Sequence, residues 1–281
     1  MSKLRKINML LKSKPVIEGA GVHLKRAFGF GEVPQFDPFL MLDDFRSDNP
    51  EHFLKGFPWH PHRGIETITY VLKGDVEHGD SMGNKGVISS GDVQWMTAGS
   101  GIIHQEMPKG DDQGSMHGFQ LWANLPASQK MMAPRYRGIT ASQIPEVALE
   151  GGVQIKIIAG TVAGVTGPVK DIVIQPQYLD CTVPKGKSCV HSTNPEHTAF
   201  IYVIEGAGVV NGTGVDNRTL ILSDTGDQFA IEARESSIRF LLLTGKPLKE
   251  PIAWHGPIVM NTQAELEIAF REYQEGTFVK R

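Results

Sequence analysis

Alternation is the dominant pattern along this chain. From residue 64 to 72, Ile68, Tyr70 and Leu72 fall on one face of an extended segment and Thr67, Thr69 and Val71 on the other, and β-branched residues are dense. Lys73-Gly74-Asp75 ends this strand as a turn, and Gly91-Asp92 marks another turn before a strand over residues 93 to 96. Residues 15 to 45 read as short apolar runs broken by Gly and Pro, closing on a strand at 37 to 45 that leads toward the next loop. Turn signals recur about every ten residues; with 31 glycines, 17 prolines and almost no helical periodicity, the chain is mainly β, a sandwich or barrel. One segment departs from this. Thr262-Gln263-Ala264-Glu265 is a capping box, and Leu266, Ile268, Ala269, Phe270 and Tyr273 come after it at helical spacing, so a C-terminal α-helix is expected to pack on a barrel.

Around residues 126 to 152 the composition shifts to Ser, Gln, Met, Pro, Arg and Glu, with Pro126, Pro134 and Pro145 interrupting regular structure. The second half of the chain repeats the first: Tyr202-Val203-Ile204-Glu205-Gly206 matches Tyr70-Val71-Leu72-Lys73-Gly74, and Gly226-Asp227 matches Gly91-Asp92. The expected organisation is a duplicated β-domain, 1–135 and 151–281, joined by a linker over 136–150.

The candidate chemistry lies in the first copy. Trp59-His60-Pro61-His62-Arg63-Gly64-Ile65-Glu66 is answered about forty residues later by Gly101-Ile102-Ile103-His104-Gln105-Glu106. Residues two apart on a strand share a face, so His60 and His62 project together, as do His104 and Glu106. Two such strands facing one another inside a small barrel would bring four nitrogen or oxygen ligands to one point. Glu66 has the same parity as His60 and His62 and could join from the first strand. Neutral imidazole with carboxylate suits Fe(II), Mn(II), Ni(II), Cu(II) or Zn(II), and no cysteine stands nearby to favour a closed thiolate site. An offset of 132, Tyr202 against Tyr70, places Ser192, Asn194 and Thr198 where His60, His62 and Glu66 stand; the Gly-Asp match places Arg239 and Leu241 where His104 and Glu106 stand. The second copy is expected to lack the ligands, with His191 and His197 at the wrong parity.

Composition narrows the rest. The net charge is −3 and the basic clusters are short, which argues against direct nucleic-acid binding. Cys181 and Cys189 are too few for a disulfide framework; with no secretory signal and no apolar run of membrane length, the expectation is a cytoplasmic chain with two ordinary thiols.

His60-Pro61-His62-Arg63-Gly64-Ile65-Glu66-Thr67, together with Gly91-Asp92-Val93-Gln94-Trp95-Met96-Thr97-Ala98-Gly99-Ser100-Gly101-Ile102-Ile103-His104-Gln105-Glu106-Met107-Pro108, resembles the pirin family of the cupin superfamily. The likeness extends to residues 37 to 45 and to Trp254-His255-Gly256-Pro257-Ile258-Val259-Met260-Asn261. It implies a bicupin, two tandem cupin β-barrels, the N-terminal one holding a single metal through His60, His62, His104 and Glu106. The metal is usually iron, with Mn, Ni, Cu, Co or Zn as alternatives, and Glu66 supports the ligands or substitutes for one. The resemblance further implies quercetin 2,3-dioxygenase activity, the oxygen-dependent opening of a flavonol ring with release of carbon monoxide. The partners are then a flavonol or similar enolic aromatic and O2. Glu106 could take the flavonol hydroxyl proton as general base. The alternative is an iron-dependent regulatory protein that binds a partner protein, as described for eukaryotic members. A monomer is expected.

Other residues have plainer readings. Phe57, Trp59, Met96, Met116 and Phe119 are candidates for an apolar mouth but fit a barrel core equally. Arg63 could hold ligand orientation, and Gln94 and Trp95 are expected to be structural. The Asp43-Asp44 pair points to opposite faces, which suits a turn or cap better than an acid/base dyad. The Ala98-Gly99-Ser100-Gly101 run reads as a tight barrel turn. His23, His52, His78, His117 and His255 are expected to be ordinary core or surface residues.

Overall fold

The computed structural model describes residues 2–280 and divides them into two compact units. The first gathers Lys14–Val33, Phe39–Ala141 and everything described from Leu248 onward; the second gathers the described residues up to Ser13, Pro34–Pro38 and Ser142–Pro247. The ends of the chain are thus exchanged relative to a division at 1–135 and 151–281, and strand pairing is the cause. Ile7–Lys12 lies antiparallel on Thr219–Ser223, with Leu10 opposite Ile221. Nor is 136–150 a free linker: Arg135–Ile139 pairs with Val93–Thr97 in the first unit, and Glu146–Ala148 with Gln154–Ala159 in the second. Both are short edge strands entered directly from a proline, too brief and polar to show alternation in sequence.

In the first unit one antiparallel sheet runs in the order Arg135–Ile139, Val93–Thr97, Ile65–Lys73, His117–Asn124, Phe39–Asp44, Val22–Phe28, Lys14–Glu18. A smaller sheet runs Phe57–His62, Ile102–Gly110, Asp75–Asp80, Lys85–Ile88. Their apolar side chains contribute to several buried clusters, two of which flank a band of polar residues. One contains Leu24, Phe45, Val71, Val76 and Met116; the other contains Met41, Ile65, Met96, Ile102 and Trp122. Between them the strands carry polar residues: Thr69 precedes Val71, Asp43 stands between Met41 and Phe45, and Gln120 precedes Trp122. The C-terminal helix, Gln263–Gln274, begins with the expected capping box, Thr262 and Glu265 each bonding the other's backbone. It buries Leu266 and Ala269 against Ile258, Met260 and Phe278, while Ile268 and Tyr273 face outward.

The second unit repeats the order with Ile7–Lys12, Thr219–Ser223, Thr198–Val210, Ile238–Gly245, Gln177–Val183, Gln154–Ala159, Glu146–Ala148; Ser188–Ser192 pairs with Gln228–Glu232. Two tandem β-barrels are therefore present, but the Gly-Asp match misaligns them. Gly91-Asp92 leads into Val93–Thr97, whose counterpart is Thr219–Ser223, and the matching turn is at Arg218: its N–H bonds Val203 O as the N–H of Gly91 bonds Val71 O. Gly226-Asp227 leads instead into Gln228–Glu232, the counterpart of Ile102–Gly110. Arg239 and Leu241 thus do not stand where His104 and Glu106 do. The counterpart strands turn Cys189 and His191, Phe229 and Ile231 toward the interior, so His191 is not of the wrong parity. Among the described residues no helix is long and apolar enough to cross a membrane.

Candidate metal centre

The two histidine-bearing strands, Phe57–His62 and Ile102–Gly110, pair with His104 opposite His60 and Ile102 opposite His62. The three imidazoles converge, with ring centroids 4.8 Å apart for His60 and His62, 4.4 Å for His60 and His104, and 5.0 Å for His62 and His104. One ring nitrogen from each lies within 4.8 Å of the others. His62 and His104 are buried and His60 partly so.

Hydrogen bonding orients the rings. His60 Nδ1 stands 2.8 Å from Pro58 O, and His62 Nδ1 stands 2.9 Å from Pro257 O. A carbonyl only accepts, so each Nδ1 carries the hydrogen and each Nε2 presents a lone pair. Those two Nε2 atoms are 3.1 Å apart. Lone pairs at that distance repel unless a positive charge faces both. Both ring nitrogens of His104 are buried without a hydrogen-bond partner. Burial holds His62 and His104 well below the usual imidazole range, and the neighbouring imidazoles add to the effect. His60 is lowered by burial too, against the opposing pull of Pro58 O and the Glu106 carboxylate. Neutral imidazoles whose free ring nitrogens converge on one point are what a divalent ion requires.

Glu106 stands outside the group of three. A bulge between His104 and Glu106 sets Glu106 opposite Phe57, and its buried carboxylate accepts from Thr69 Oγ1 at 2.7 Å and Gln120 Nε2 at 2.6 Å. Glu66 does not join. Gly64 sits between the two strands at φ 78°, so the parity counted from His62 does not carry through to Glu66. Glu66 accepts from Thr97 at 2.6 Å on the face of its strand opposite Thr69, and burial raises its pKa. No larger residue fits at Gly64, where a Cβ would lie 2.0 Å from Val259 O.

Arg63 also turns away from the ligands. It donates to Phe278 O at 2.9 Å, pairs with Glu272 at 2.7 Å and lies 4.2 Å from the centroid of the Phe278 ring, tying the C-terminal segment to the His62 strand. Gln94 bonds His78, which is near Asp80 and stacks on Tyr136 behind His104. Asp43 and Asp44 do point apart, but neither caps a turn. Both are buried in Phe39–Asp44, Asp43 paired with Arg26 and Asp44 with Arg46.

His60 and His62 line a cavity of about 670 Å³. Of the five apolar mouth candidates only Phe57 lines it; Met96, Met116 and Phe119 are buried in the core and Trp59 is half-exposed elsewhere. Sequence reading missed Phe30, Met41, Trp122 and Trp254 on its walls, and Glu18, Arg26 and Asp43 beside them. Their strands are remote in sequence from the histidines, so only the sheet order reveals the shared cavity.

Two family models match the chain, "Pirin" over residues 21–123 and "Pirin C-terminal cupin domain" over residues 178–279. A pirin-like protein of Caulobacter vibrioides is 44% identical over 276 residues, covering 98% of this chain and 99% of that one. The chain belongs to the pirin family. A second pirin relative, from Pseudomonas aeruginosa and named "Putative quercetin 2,3-dioxygenase", is 42% identical over 98% of this chain and 99% of its own length. The crystal structure of a quercetin 2,3-dioxygenase from Acinetobacter baumannii superposes with a TM-score of 0.90 at 34% identity, covering 99% of this chain and 100% of that one. The fold is therefore that of a pirin bicupin, and His60, His62 and His104 form a cluster able to hold one metal ion.

Proposed function

We propose that this pirin is an Fe(II)-dependent dioxygenase that opens the ring of quercetin or a related flavonol, with His60, His62, His104 and Glu106 as the metal ligands. The observation that carries this is the convergence of three neutral imidazoles, His104 without a hydrogen-bond partner on either nitrogen, beside an aromatic-walled cavity of about 670 Å³. That volume is in the usual range for small-molecule sites. The names of the Pseudomonas and Acinetobacter relatives supply the substrate class.

Bound there, the ion supplies Lewis acidity toward the flavonol 3-hydroxyl and the neighbouring carbonyl. The chain supplies the rest. Pro58 O and Pro257 O fix the tautomers of His60 and His62, so that Nε2 of each is the donor atom. Thr69 and Gln120 hold one carboxylate oxygen of Glu106 each, which keeps the group oriented while further lone pairs remain to accept the 3-hydroxyl proton. Met41, Phe57 and Trp122 offer apolar surface to a flat substrate and exclude water from the proton's path.

Quercetin consumption followed optically together with oxygen uptake, on protein reconstituted with Fe(II), tests this reading against His62→Ala. Turnover in the wild type and only background in the variant is the expected result. Equal turnover in both removes the histidine cluster from the reaction. No turnover by protein shown to hold iron overturns the dioxygenase assignment and favours the metal-dependent, partner-binding alternative.

A further inference from the structure

The cavity has a second polar pole whose position the strand registers fix. Thr69 stands opposite Gln94 on one side and Gln120 on the other, Gln120 stands opposite Asp43, and Asp43 stands opposite Arg26. Five polar side chains thus form one row across five neighbouring strands, between the cluster of Leu24 and Met116 and that of Met41 and Trp122. Thr69 and Gln120 anchor Glu106; Gln120, Asp43 and Arg26 line the cavity shared with His60 and His62. Neighbouring strands lie about 4.8 Å apart, so Asp43 and Arg26 are ~5–10 Å along the sheet from the residue that holds Glu106.

The same row in the second barrel is an internal control. Ile201, one residue before Tyr202 as Thr69 is before Tyr70, stands opposite Ile221 and Leu242; Leu242 faces Leu179, and Leu179 faces Ile157. Gln94, Thr69, Gln120, Asp43 and Arg26 are therefore replaced one for one by Ile221, Ile201, Leu242, Leu179 and Ile157, all fully buried in a single apolar core. The fold itself is satisfied by aliphatic residues there. Burying five polar groups instead opposes folding unless they are partnered, and three of the five, Gln120, Asp43 and Arg26, line the cavity.

Arg26 and Asp43 make a two-point pair, Nε to Oδ1 and Nη2 to Oδ2, each at 2.8 Å, and Nη2 also reaches Glu18 at 3.0 Å. Replacing a buried ion pair by apolar packing is often neutral or stabilising, so stability alone is a weak reason for such a pair. The second barrel fills the two corresponding positions with Leu179 and Ile157, and its own two-point pair, Arg239 with Asp180, lies at other positions. Despite the guanidinium, burial pushes the Asp43 carboxyl up to about 6. Asp43 is short of solvation, so a hydroxyl brought in by a ligand would be a welcome donor.

We propose that Asp43, held by Arg26, is the specificity-determining residue of this cavity, accepting a hydrogen bond from phenolic hydroxyls on the end of an aromatic substrate remote from its metal-chelating oxygens. This rests on the flavonol reading and deepens it: the site selects polyhydroxylated substrates over bare ketol aromatics. Glu18, at the outer side of Arg26, keeps the guanidinium from turning away.

The test is ligand binding, followed by fluorescence, to the full Fe(II)-loaded protein without oxygen, with two probes. Quercetin carries the remote hydroxyls; 3-hydroxyflavone has the same chelating oxygens and none of them. The wild type is expected to bind quercetin at least about tenfold more tightly, the size of one hydrogen bond to a charged group, and Asp43→Asn to cut that preference to about twofold by weakening quercetin alone. Arg26→Lys, which keeps the charge and loses the fork, should shift the preference the same way by less. Wild type that binds both probes equally overturns the proposal whether or not a variant folds, as do variants that leave the ratio unchanged or weaken both probes alike. Wild type that holds iron and binds neither probe overturns the flavonol reading itself.

Discussion

His60 and His191 are imidazoles on corresponding strands, and what each faces decides its chemistry. His60 stands opposite His104 beside a cavity; His191 stands opposite Phe229 and has Gln177 3.3 Å from its ring. Burial lowers His191 to about 4. Its folded-state pKa lies below the ordinary 6.5, so between pH 6.5 and 4 the unfolded chain binds a proton that the folded chain does not, and stability falls as pH falls across that window. The slope for one group is at most about 1.4 kcal/mol per pH unit. His191→Gln should flatten that part of the stability-against-pH curve, read by denaturant titration at several pH values; an unchanged curve would mean His191 titrates normally. At the site, Thr69→Val removes one of the two bonds that orient Glu106. On the proposed mechanism kcat should fall roughly tenfold or more while bound iron stays near one per chain, since lost orientation by a supporting residue commonly costs 10- to 100-fold. Iron loss in proportion to activity would make Thr69 a determinant of metal binding instead. The histidine pairs were legible because residues two apart on a strand share a face. The place of Glu66 was not, since parity counts fail across a residue such as Gly64 that turns the chain between strands.

At the level of elements, the presence and start of the C-terminal helix were readable: its capping box and apolar stripe are local signals, and Leu266 and Ala269 are the residues it buries. Ile268 shows the limit of a stripe, since it belongs to the periodic set yet faces solvent. Leu266→Ala should cost about 2–4 kcal/mol for a side chain buried to this extent. The readout is the denaturation midpoint of the metal-free protein; a change below the resolution of the measurement would show that the helix is dispensable to the unit it packs on. The short edge strands around 136–150 were not readable, because strands of five and three residues with only Ile139 buried carry too little hydrophobic pattern to distinguish a strand from a loop. The Gly-Asp repeat misled for a related reason. Such dipeptides mark turns of many kinds, and only the strand after the turn shows which one is meant.

Over the whole molecule, duplication allows the two barrels to be compared strand by strand, and the comparison separates what the fold needs from what the site needs. The sheet order is kept in both units; the polar row and the three imidazoles are present in one. An ion that binds the folded chain alone stabilises it by about 4 kcal/mol when present at a thousand times its dissociation constant. Chelation should therefore lower the melting temperature of the wild type and leave that of His62→Ala nearly unchanged; equal shifts in both would place the stabilising ion elsewhere. Finally, His62 takes its carbonyl partner from Pro257, 195 residues further along the chain, and Arg63 takes its own from Phe278. During synthesis the histidines leave the ribosome long before either carbonyl exists. The bonds that orient His62 and hold Arg63 therefore form only after residues 257 and 278 have been made, so the frame around the three imidazoles is a late product of synthesis rather than a seed for folding.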